Sequence, residues 1–312
     1  AVIGAGNMAR EHIRAFAAHP DVKIAGIFSR TESRAVALAA EFGVQHVCGS
    51  VEDLYAKTHA DLVIITVPEL AARVTAEAAF QFPWTVLMEK PAGYDLADAQ
   101  KIKAAADVAG RTVYVGFNRR FYDSVLQTKA GLAELPAETP RFIHIQDQQS
   151  YEEARRYNHP EAVVEKFMYA NSIHVIDMIR SFARGQVKSV EQILPWMGEQ
   201  THVVLSLITF DSGDKALYEG IWQGPGPWAC SVATPLKRWE MRPLEGVSSV
   251  PAGQRRLNAH DINPIDSEYK AGFYHQAAAV LQAMKDGKAT APLGDLADSL
   301  VTMRLINQMF GV

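Results

Sequence analysis

The chain has 312 residues, of which 48% are hydrophobic, and its 31 Lys and Arg against 35 Asp and Glu give a formal net charge of −4. This length exceeds the usual size of one hydrophobic core, so we expect two domains, and the apolar fraction excludes a disordered chain. The charge balance provides no electrostatic footprint for nucleic acid or an anionic membrane, so we expect neither as a partner.

The two cysteines, Cys48 and Cys230, lie far apart in the chain and lack metal-ligand spacing. They provide no disulfide framework, so we expect a reducing, cytoplasmic location and no metal site. The longest clean apolar run, residues 62–67, is too short to span a bilayer. The chain opens at Ala1 on an apolar strand-like run without a signal peptide, so we expect a few residues to precede it, which leaves upstream targeting open.

Short β-rich runs alternate with longer, Ala-rich helical runs over residues 1–121. Near-continuous apolar runs are typical of strands buried on both faces of a parallel sheet. The alternation therefore predicts a doubly wound α/β domain. The predicted strands are residues 1–3, 22–28, 62–67, 85–88 and 112–115, and the predicted helices are residues 8–18, 34–42, 71–80 and 96–108.

The pattern changes near residues 121–123, where we expect the domain boundary, with a second domain over residues 122–312. Consecutive strands joined by short turns predict an antiparallel or mixed sheet and hence an α+β domain. The predicted strands are residues 141–149, 187–194, 201–210, 214–222, 228–233 and 237–242, and the predicted helices are residues 173–183, 271–285 and 296–309. Residues 245–268, rich in Gly, Pro, Asn and Ser, predict a long loop.

A glycine motif, GAGNMA, follows the first predicted strand and opens the first predicted helix. In such a motif Gly4 permits the tight turn, Gly6 lets the backbone approach a pyrophosphate, and Ala9 keeps helix and strand close. The free N–H groups at Asn7 and Met8 then face the phosphates. The motif predicts dinucleotide binding; the alternative is a glycine-rich turn without a ligand.

The end of the second strand distinguishes NADP from NAD. Sites for NAD usually place a carboxylate there to bind the ribose 2′-hydroxyl, whereas this chain has Ser29, Arg30 and Thr31. Arg30 is suited to bind a 2′-phosphate, with the two hydroxyl residues as supporting donors. We therefore expect NADP, with NAD as the second possibility. The alternative is a solvated Arg30 partly neutralised by Glu32.

Polar residues also follow two later strands of the predicted sheet. Thr66 and Pro68 follow one strand, and Glu89 and Lys90 follow the next. In an open parallel sheet, ligands bind outside the carboxyl ends of the strands, so these residues are expected to contact the cofactor. A lysine on an apolar strand is unusual unless its ammonium reaches a crevice; a surface lysine beside a turn is the alternative.

Together these motifs resemble the Gfo/Idh/MocA (glucose–fructose oxidoreductase, inositol dehydrogenase, rhizopine catabolism) family over nearly the whole chain. The motifs that carry the resemblance are residues 4–9, 66–68, 89–91 (EKP), 116–121 (GFNRRF) and 173–177 (IHVID). It implies a Rossmann domain followed by a domain built on a large open sheet. It also implies an NAD(P)-dependent oxidoreductase acting on carbinols of sugars, cyclitols and nucleotide sugars.

The same resemblance assigns roles to residues of this chain. Lys90 contacts the cofactor and the substrate hydroxyl, His174 is the acid/base, and Asn118 and Arg119 line the substrate cleft between the domains. Histidine titrates near neutral pH, as this proton transfer requires. We expect Asn171 or Ser172 to cap the helix that carries His174, so that its positive end keeps the imidazole neutral.

The neighbourhood of His174 departs from the family pattern. Many members carry an Asp four residues before the histidine, where this chain has Ala170. Tyr169 and Asn171 flank that position and are expected to bind substrate instead. Asp177, one turn after His174, either binds a substrate hydroxyl, orients the imidazole or pairs with an arginine. Two further differences, Glu69 for a common Asn and Arg73 for a common His, leave the substrate undefined.

The sequence thus predicts an NADP-preferring oxidoreductase of a sugar, polyol or sugar derivative. Ala170 favours the alternative, a non-catalytic dinucleotide-binding or regulatory protein on the same fold. Residues 201–210 are apolar on both alternating faces, which predicts that one sheet face meets a partner subunit in a homodimer or a dimer of dimers. Coverage of that face by residues 245–268 is the alternative.

Overall fold

The computed structural model describes residues 1–312 and divides them into two compact units. The first unit contains residues 1–118 and 267–300, and the second contains residues 119–266 and 301–312. Whereas the sequence assigns all of residues 122–312 to one domain, the structure returns residues 267–300 to the first unit. The reason is packing, since the helix Phe273–Asp286 lies against the helix Asn7–Ala17.

The first unit contains a seven-stranded sheet. Its strands are β1 (Val2–Ile3), β2 (Gly26–Phe28), β3 (His46–Cys48), β4 (Leu62–Ile65), β5 (Thr85–Glu89), β6 (Val113–Gly116) and β15 (Gly294–Asp295). They lie in the order β15-β6-β5-β4-β1-β2-β3, and every neighbouring pair is parallel except β15 with β6. The doubly wound parallel sheet predicted from the sequence is confirmed.

Helices cover this sheet. They are α1 (Asn7–Ala17), α2 (Glu32–Phe42), α3 (Val51–Thr58), α4 (Ala72–Ala79), α5 (Leu96–Ala109) and α11 (Phe273–Asp286). Local chemistry sets their ends: Ser50 and Asp95 cap α3 and α5 through their side chains, and Gly43 ends α2 at φ 66°. The sequence patterns missed β3 and α3, because β3 has only three residues and α3 buries only Val51 and Leu54.

The second unit contains an eight-stranded sheet. Its strands are β7 (Phe142–Gln148), β8 (Val187–Leu194), β9 (Val203–Phe210), β10 (Lys215–Ile221), β11 (Ala229–Ala233), β12 (Lys237–Met241), β13 (Ser248–Pro251) and β14 (Asn258–Ala259). They lie in the order β14-β13-β12-β11-β7-β10-β9-β8, all antiparallel except the pair β7 and β10. The predicted α+β fold with a mostly antiparallel sheet is confirmed.

The core of the second unit lies between one face of this sheet and its helices. The helices are α6 (Asp123–Ala133), α7 (Tyr151–Arg156), α8 (Glu161–Val164), α9 (Ile173–Phe182) and the later part of α12 (Leu296–Phe310). Helix α9 packs on β7, and Phe310 contacts the rings of Tyr218 and Trp222. No helix of the chain combines the length and apolar character needed to cross a bilayer.

The prediction of a long loop over residues 245–268 is wrong. The segment contains β13, β14 and the short helix α10 (Ile265–Glu268), and β13 pairs with β12 to extend the sheet. Its Gly and Pro content hid the strands, and only alternate positions such as Val247 and Ser249 are buried. Pairing with a neighbouring strand, which the local sequence does not show, makes these residues β-structure.

Candidate functional site

The glycine turn of the first unit lies between β1 and α1. Gly4 has φ +112°, and a Cβ at that position would lie 2.5 Å from the carbonyl oxygen of Thr66. Gly6 precedes α1 without a side-chain cap, and no atom lies within 4 Å of the position its Cβ would take. Asn7 is exposed and Met8 half-buried in the first turn. The start of α1 therefore has open space beside Gly6 and N–H groups without a side-chain cap, which suits an anion.

The loop after β4 closes onto this turn. The Thr66 backbone N–H donates to the carbonyl oxygen of Ile3 at 2.8 Å, and its hydroxyl donates to the same oxygen at 3.2 Å. Pro68 then begins a single 3₁₀ turn, Glu69–Ala71. Further along, Arg73 pairs with Asp98 at 2.7 Å, so the residue that replaces the family's common His has a structural partner.

The loop after β2 presents Arg30 to solvent. The Thr31 backbone N–H donates to the Ser29 hydroxyl at 3.3 Å, and Thr31 precedes α2 in an extended conformation without a side-chain cap. The exposed Glu32 begins α2. The structure thus leaves the guanidinium of Arg30 accessible at the end of β2.

Glu89, at the end of β5, is held by two neighbours within the first unit. Its Oε1 lies 2.7 Å from Nε2 of His12, and its Oε2 accepts from the backbone N–H of Lys90 at 3.2 Å. Burial opposes the charge, but the hydrogen bond with His12 and the charges of His12 and Lys90 outweigh it and lower the pKa of the Glu89 carboxyl. His12 is 1% exposed, and its ring lies 4.7 Å from that of Phe273.

Sequence reasoning missed His12. The signal was its place on the apolar face of α1, among the buried residues Ala9, Ile13 and Phe16, where a polar side chain needs a partner. Asn118, expected to bind substrate, donates its Nδ2 to the carbonyl oxygen of Ala271 at 3.1 Å within the first unit and is 6% exposed.

His174 lies on the second unit, at the second residue of α9, and is half-buried. A π-helical turn, Met168–Ser172, leads directly into α9, and Ser172 has φ −60° and ψ −23° with no side-chain cap. The expected N-cap at Asn171 or Ser172 is therefore wrong, because helical backbone begins before both residues. The free positive helix end that was expected to keep His174 neutral is absent here.

The π turn holds the residues that flank the substituted position. Tyr169 is 2% exposed and Ala170 is 6% exposed, so both are packed in the core of the second unit. Single π turns frequently occur at functional sites because they reset which side chains share a helix face. Only Asn171 of this group is half-buried, and it lines a cavity.

Asp177 has a structural environment. Its Oδ2 accepts from Nε of Arg120 and its Oδ1 from Nη2, both at 2.6 Å, and the Thr302 hydroxyl donates to Oδ1 at 2.8 Å. Asp177 is 2% exposed. Of the alternatives left open by the sequence, these contacts favour pairing with an arginine over binding of substrate.

A chain of polar side chains lies next to this turn. Asp147, on β7 and 1% exposed, accepts from the Tyr218 hydroxyl at 2.7 Å and from Nε2 of Gln149 at 2.6 Å. Oε1 of Gln149 accepts from Nδ2 of Asn171 at 2.9 Å. Burial raises the pKa of the Asp147 carboxyl, against the opposing effects of the side chains of Ser172, Tyr218 and Gln149 and of the charge of Arg119.

The polar chain ends at a cavity of about 210 Å³ within the second unit. The residues that line it are Gln148, Gln149, Ser150, Glu153, Ala154, Tyr157, Phe167, Asn171 and Trp228. The Arg119 guanidinium lies 4.1 Å from the centre of the Trp228 ring, and burial lowers the pKa of Arg119. Aromatic rings with amides suit an uncharged, hydroxyl-bearing molecule.

Sequence reasoning missed Asp147, Gln149, Tyr218 and Trp228. One signal was available: Asp147 falls at an inward position of a strand whose other inward residues, Ile143 and Ile145, are apolar. The structure brings Asn171 together with this set in the second unit, and it brings Thr66 together with the glycine turn in the first.

Comparison with known proteins supports this description. A Bacillus subtilis protein named "Uncharacterized oxidoreductase YrbE" is 24% identical over 225 residues, which are 70% of this chain and 65% of that protein. The inositol 2-dehydrogenase of Salmonella typhimurium is 26% identical over 200 residues, 62% of this chain and 57% of that enzyme. The matched stretches thus span less than two thirds of these relatives.

A solved dehydrogenase structure from Chromobacterium violaceum shares the fold, with a TM-score of 0.83 at 19% identity over 99% of this chain and 92% of that one. Residues 1–117 match the family described as "Oxidoreductase family, NAD-binding Rossmann fold". Through these residues the chain is similar to the Gfo/Idh/MocA oxidoreductases, and the match covers the part of the first unit that carries the glycine turn.

Proposed function

We propose that this protein is an NAD(P)-dependent oxidoreductase that moves a hydride between nicotinamide and a carbinol or carbonyl carbon of a sugar, polyol or sugar derivative. The observation that carries the proposal is the open N-terminus of α1 after Gly4 and Gly6, on a chain whose relatives include an inositol 2-dehydrogenase. The amide- and aromatic-lined cavity of the second unit supports a hydroxyl-rich substrate.

The residues at the glycine turn fit a dinucleotide. The space beside Gly6 accepts a pyrophosphate, and the N–H groups at Asn7 and Met8 are the donors for it. Thr66 borders the same turn, and Pro68 follows on the same loop. When bound, the cofactor supplies the hydride acceptor or donor, and this chain's own residues bind, orient and exchange the proton.

The cofactor is NADP in preference to NAD. The exposed Arg30 binds the 2′-phosphate, with Ser29 and Thr31 as additional donors, and none of these three residues is a carboxylate that would repel it. The family description and its NAD-binding fold support a nicotinamide dinucleotide of either kind.

Lys90 and His174 carry the chemistry of the substrate hydroxyl. Lys90 stabilises the developing alkoxide, and His174 removes or returns the proton, a role for which histidine is suited near neutral pH. The Glu89 carboxylate, bonded to the Lys90 backbone N–H, fixes the start of the lysine's loop. Arg119 and Asn171 contact substrate, whereas Asn118, Tyr169 and Asp177 support the surrounding structure.

A homodimer, or a dimer of dimers, is part of the proposal. On β9, Val204, Ile208 and Phe210 are buried under helices, but Leu205 and Leu207 on the other face are only half-buried. Residues 245–268 extend the sheet instead of covering that face. A second copy therefore covers it, and light scattering at micromolar concentration tests this, since a monomer contradicts it.

The test of the activity is absorbance at the reduced-nicotinamide band. The protein is incubated with NADP or NAD and a panel of cyclitols, polyols and aldoses, with His174→Asn as the matched inactive control. The expected result is turnover with at least one polyol or aldose that the variant lacks. Turnover unaffected by His174→Asn refutes the assigned role.

Ala170 supports a second candidate function, because the carboxylate common in the family is missing at this position. Under this alternative the protein binds dinucleotide without turnover and acts as a binding or regulatory protein. Tight binding of NADP by calorimetry, with no turnover on the panel, supports it over the enzyme.

A further inference from the structure

The polar chain from Asp147 to Asn171 has a direction, because its members are not interchangeable as hydrogen-bond partners. A carboxylate only accepts hydrogen bonds, whereas a side-chain amide has one accepting oxygen and one donating nitrogen. Asp147 at one end is buried and accepts from two donors, and Asn171 at the other end lines the cavity. The accepting carboxylate of Asp147 therefore determines which atom of the Asn171 amide, oxygen or nitrogen, is left to face the cavity.

The direction follows one step at a time. Because Oδ1 of Asp147 accepts, Gln149 turns its Nε2 toward it, at 2.6 Å. Oε1 of Gln149 then faces Asn171, which must turn its Nδ2 toward Gln149, at 2.9 Å. The remaining polar atom of the Asn171 side chain is its oxygen.

We infer that Asp147 is a positioning residue that fixes Asn171 with its amide oxygen toward the cavity, so that the site selects a hydroxyl donor on the substrate at this point. A group that only accepts, such as a fluorine, an ether or a carbonyl oxygen, meets like polarity there. If the reacting carbon of the substrate is bound at this point, the alcohol donates a hydrogen bond to the Asn171 oxygen. The carbonyl compound formed by its oxidation has no hydroxyl there to donate.

The supporting contacts keep this polarity stable. The Tyr218 hydroxyl donates to Oδ2 of Asp147 and leaves Oδ1 for Gln149. Asp147 and Gln149 are each 1% exposed, so bulk solvent hardly reaches either group. Reversal of both amides requires a donor at residue 147.

That requirement gives the decisive variants. In Asp147→Asn, the new amide offers Nδ2 to Gln149, which allows both following amides to reverse and turn Nδ2 of Asn171 toward the cavity. When Gln149→Glu is added to this variant, the carboxylate at residue 149 accepts hydrogen bonds from the new amide at residue 147 and from Asn171. Asn171 then donates through Nδ2 again, and its oxygen faces the cavity. Tyr218→Phe is the matched control, because it removes a hydrogen bond from Asp147 without supplying a donor to Gln149.

Neutron diffraction from crystals exchanged into D₂O measures the orientation directly, since it distinguishes ND₂ from oxygen. We expect the Asn171 oxygen toward the cavity in wild type, Tyr218→Phe and the Asp147→Asn/Gln149→Glu double variant, and the ND₂ group there in Asp147→Asn. An ND₂ group facing the cavity in wild type overturns the inference, and the wild-type crystal alone decides this if a variant fails to fold.

Binding gives the second readout, which rests on the proposed function. Titration of myo-inositol into protein saturated with NADPH is expected to give a Kd about tenfold higher in Asp147→Asn. We expect the Kd for myo-inositol to return to the wild-type value in the double variant and to change little in Tyr218→Phe. If myo-inositol binds equally weakly to Asp147→Asn and to the double variant, the orientation of Asn171 does not control binding, and that part of the inference is overturned. Absence of inositol binding in wild type counts against the proposed polyol substrate, and the neutron result still decides the orientation.

Discussion

Glu89 in the first unit and Asp147 in the second are both largely buried carboxylates beside residues of the proposed site, yet their surroundings differ. Glu89 lies 2.7 Å from His12 and its pKa is lowered, whereas Asp147 accepts from the neutral groups of Tyr218 and Gln149 and its pKa is raised. Charged partners compensate the burial of a carboxylate more fully than neutral donors do.

The difference corresponds to what each unit is proposed to bind. The first unit combines charged groups around Lys90 and Arg30, which suits a charged dinucleotide. The second unit lines the cavity at Asn171 with amides, aromatic rings and one carboxylate residue, Glu153, which suits a hydroxyl-rich polyol. Buried carboxylates of the second unit that have ionic partners include Asp177, which pairs with Arg120, and Asp214, which pairs with Arg184.

The largest expected effect separates the two units by function. His174→Asn should lower turnover by roughly two to four orders of magnitude, because the proton of the substrate hydroxyl loses its acceptor. The Kd for NADP should hardly change, because the phosphates bind at the glycine turn of the first unit. Steady-state kinetics and calorimetric titration measure the two quantities.

Lys90→Ala provides the matching test from the first unit. It should also reduce turnover, and the double variant with His174→Asn should be far from additive if both residues act on one substrate oxygen. Additive losses contradict a shared oxygen, and a His174→Asn enzyme with near-normal turnover makes that residue structural.

The second effect is on stability and concerns the charge-paired carboxylate of the second unit. Asp177→Asn should lower the free energy of unfolding by about 3–5 kcal/mol, because it removes the buried carboxylate charge that pairs with Arg120 at 2.6 Å. Urea denaturation measures this. The control is Lys57→Ala, which breaks an exposed ion pair with Asp53 and should have little effect. If Asp177→Asn changes the free energy of unfolding only slightly but impairs substrate binding, the result favours a substrate-binding role for Asp177 instead.

The third effect tests the charged character of the first unit. Arg30→Ala should weaken NADP binding by about 1.5–3 kcal/mol, or roughly ten- to a hundredfold, and leave NAD binding nearly unchanged. Calorimetric titration with both cofactors measures this, with Arg34→Ala as a neighbouring exposed-arginine control. Tighter binding of NAD than NADP by wild type refutes the NADP preference.

The smallest expected effect is on the pH dependence of stability, which allows a direct comparison of Glu89 with Asp147. The lowered pKa of Glu89 stabilises the fold above the unfolded pKa, and that contribution is lost as pH falls through the folded value. The raised pKa of Asp147 has the opposite sign, so its destabilisation at neutral pH is relieved as pH falls.

Urea denaturation of wild type, Glu89→Gln and Asp147→Asn between pH 7 and pH 4 measures these signs. Over that range the stability of wild type should fall relative to Glu89→Gln and rise relative to Asp147→Asn. Slopes of the same sign for both pairs contradict the contrast between the two carboxylates.

Much of the fold could be predicted from the sequence, because long apolar runs and helical periodicity specify buried elements locally. Short elements were missed where few residues are buried, as in α3 with Val51 and Leu54. Strands β13 and β14 were missed because pairing with a neighbouring strand, β13 with β12 and β14 with β13, makes them strands and their own residues do not.

The proposed site divides in the same way. By itself the sequence determined the Rossmann unit, its glycine turn and the order of the motifs around Lys90 and His174, because these depend on local backbone and spacing. Only the tertiary structure decided that helical backbone begins before Ser172, that Arg120 pairs with Asp177, and that Asp147 lies behind Asn171. Arg120 and Asp177 are 57 residues apart and Gln149 and Asn171 are 22 apart, so no local pattern shows these contacts, and hydrogen-bond direction becomes defined only once the fold brings donor and acceptor together.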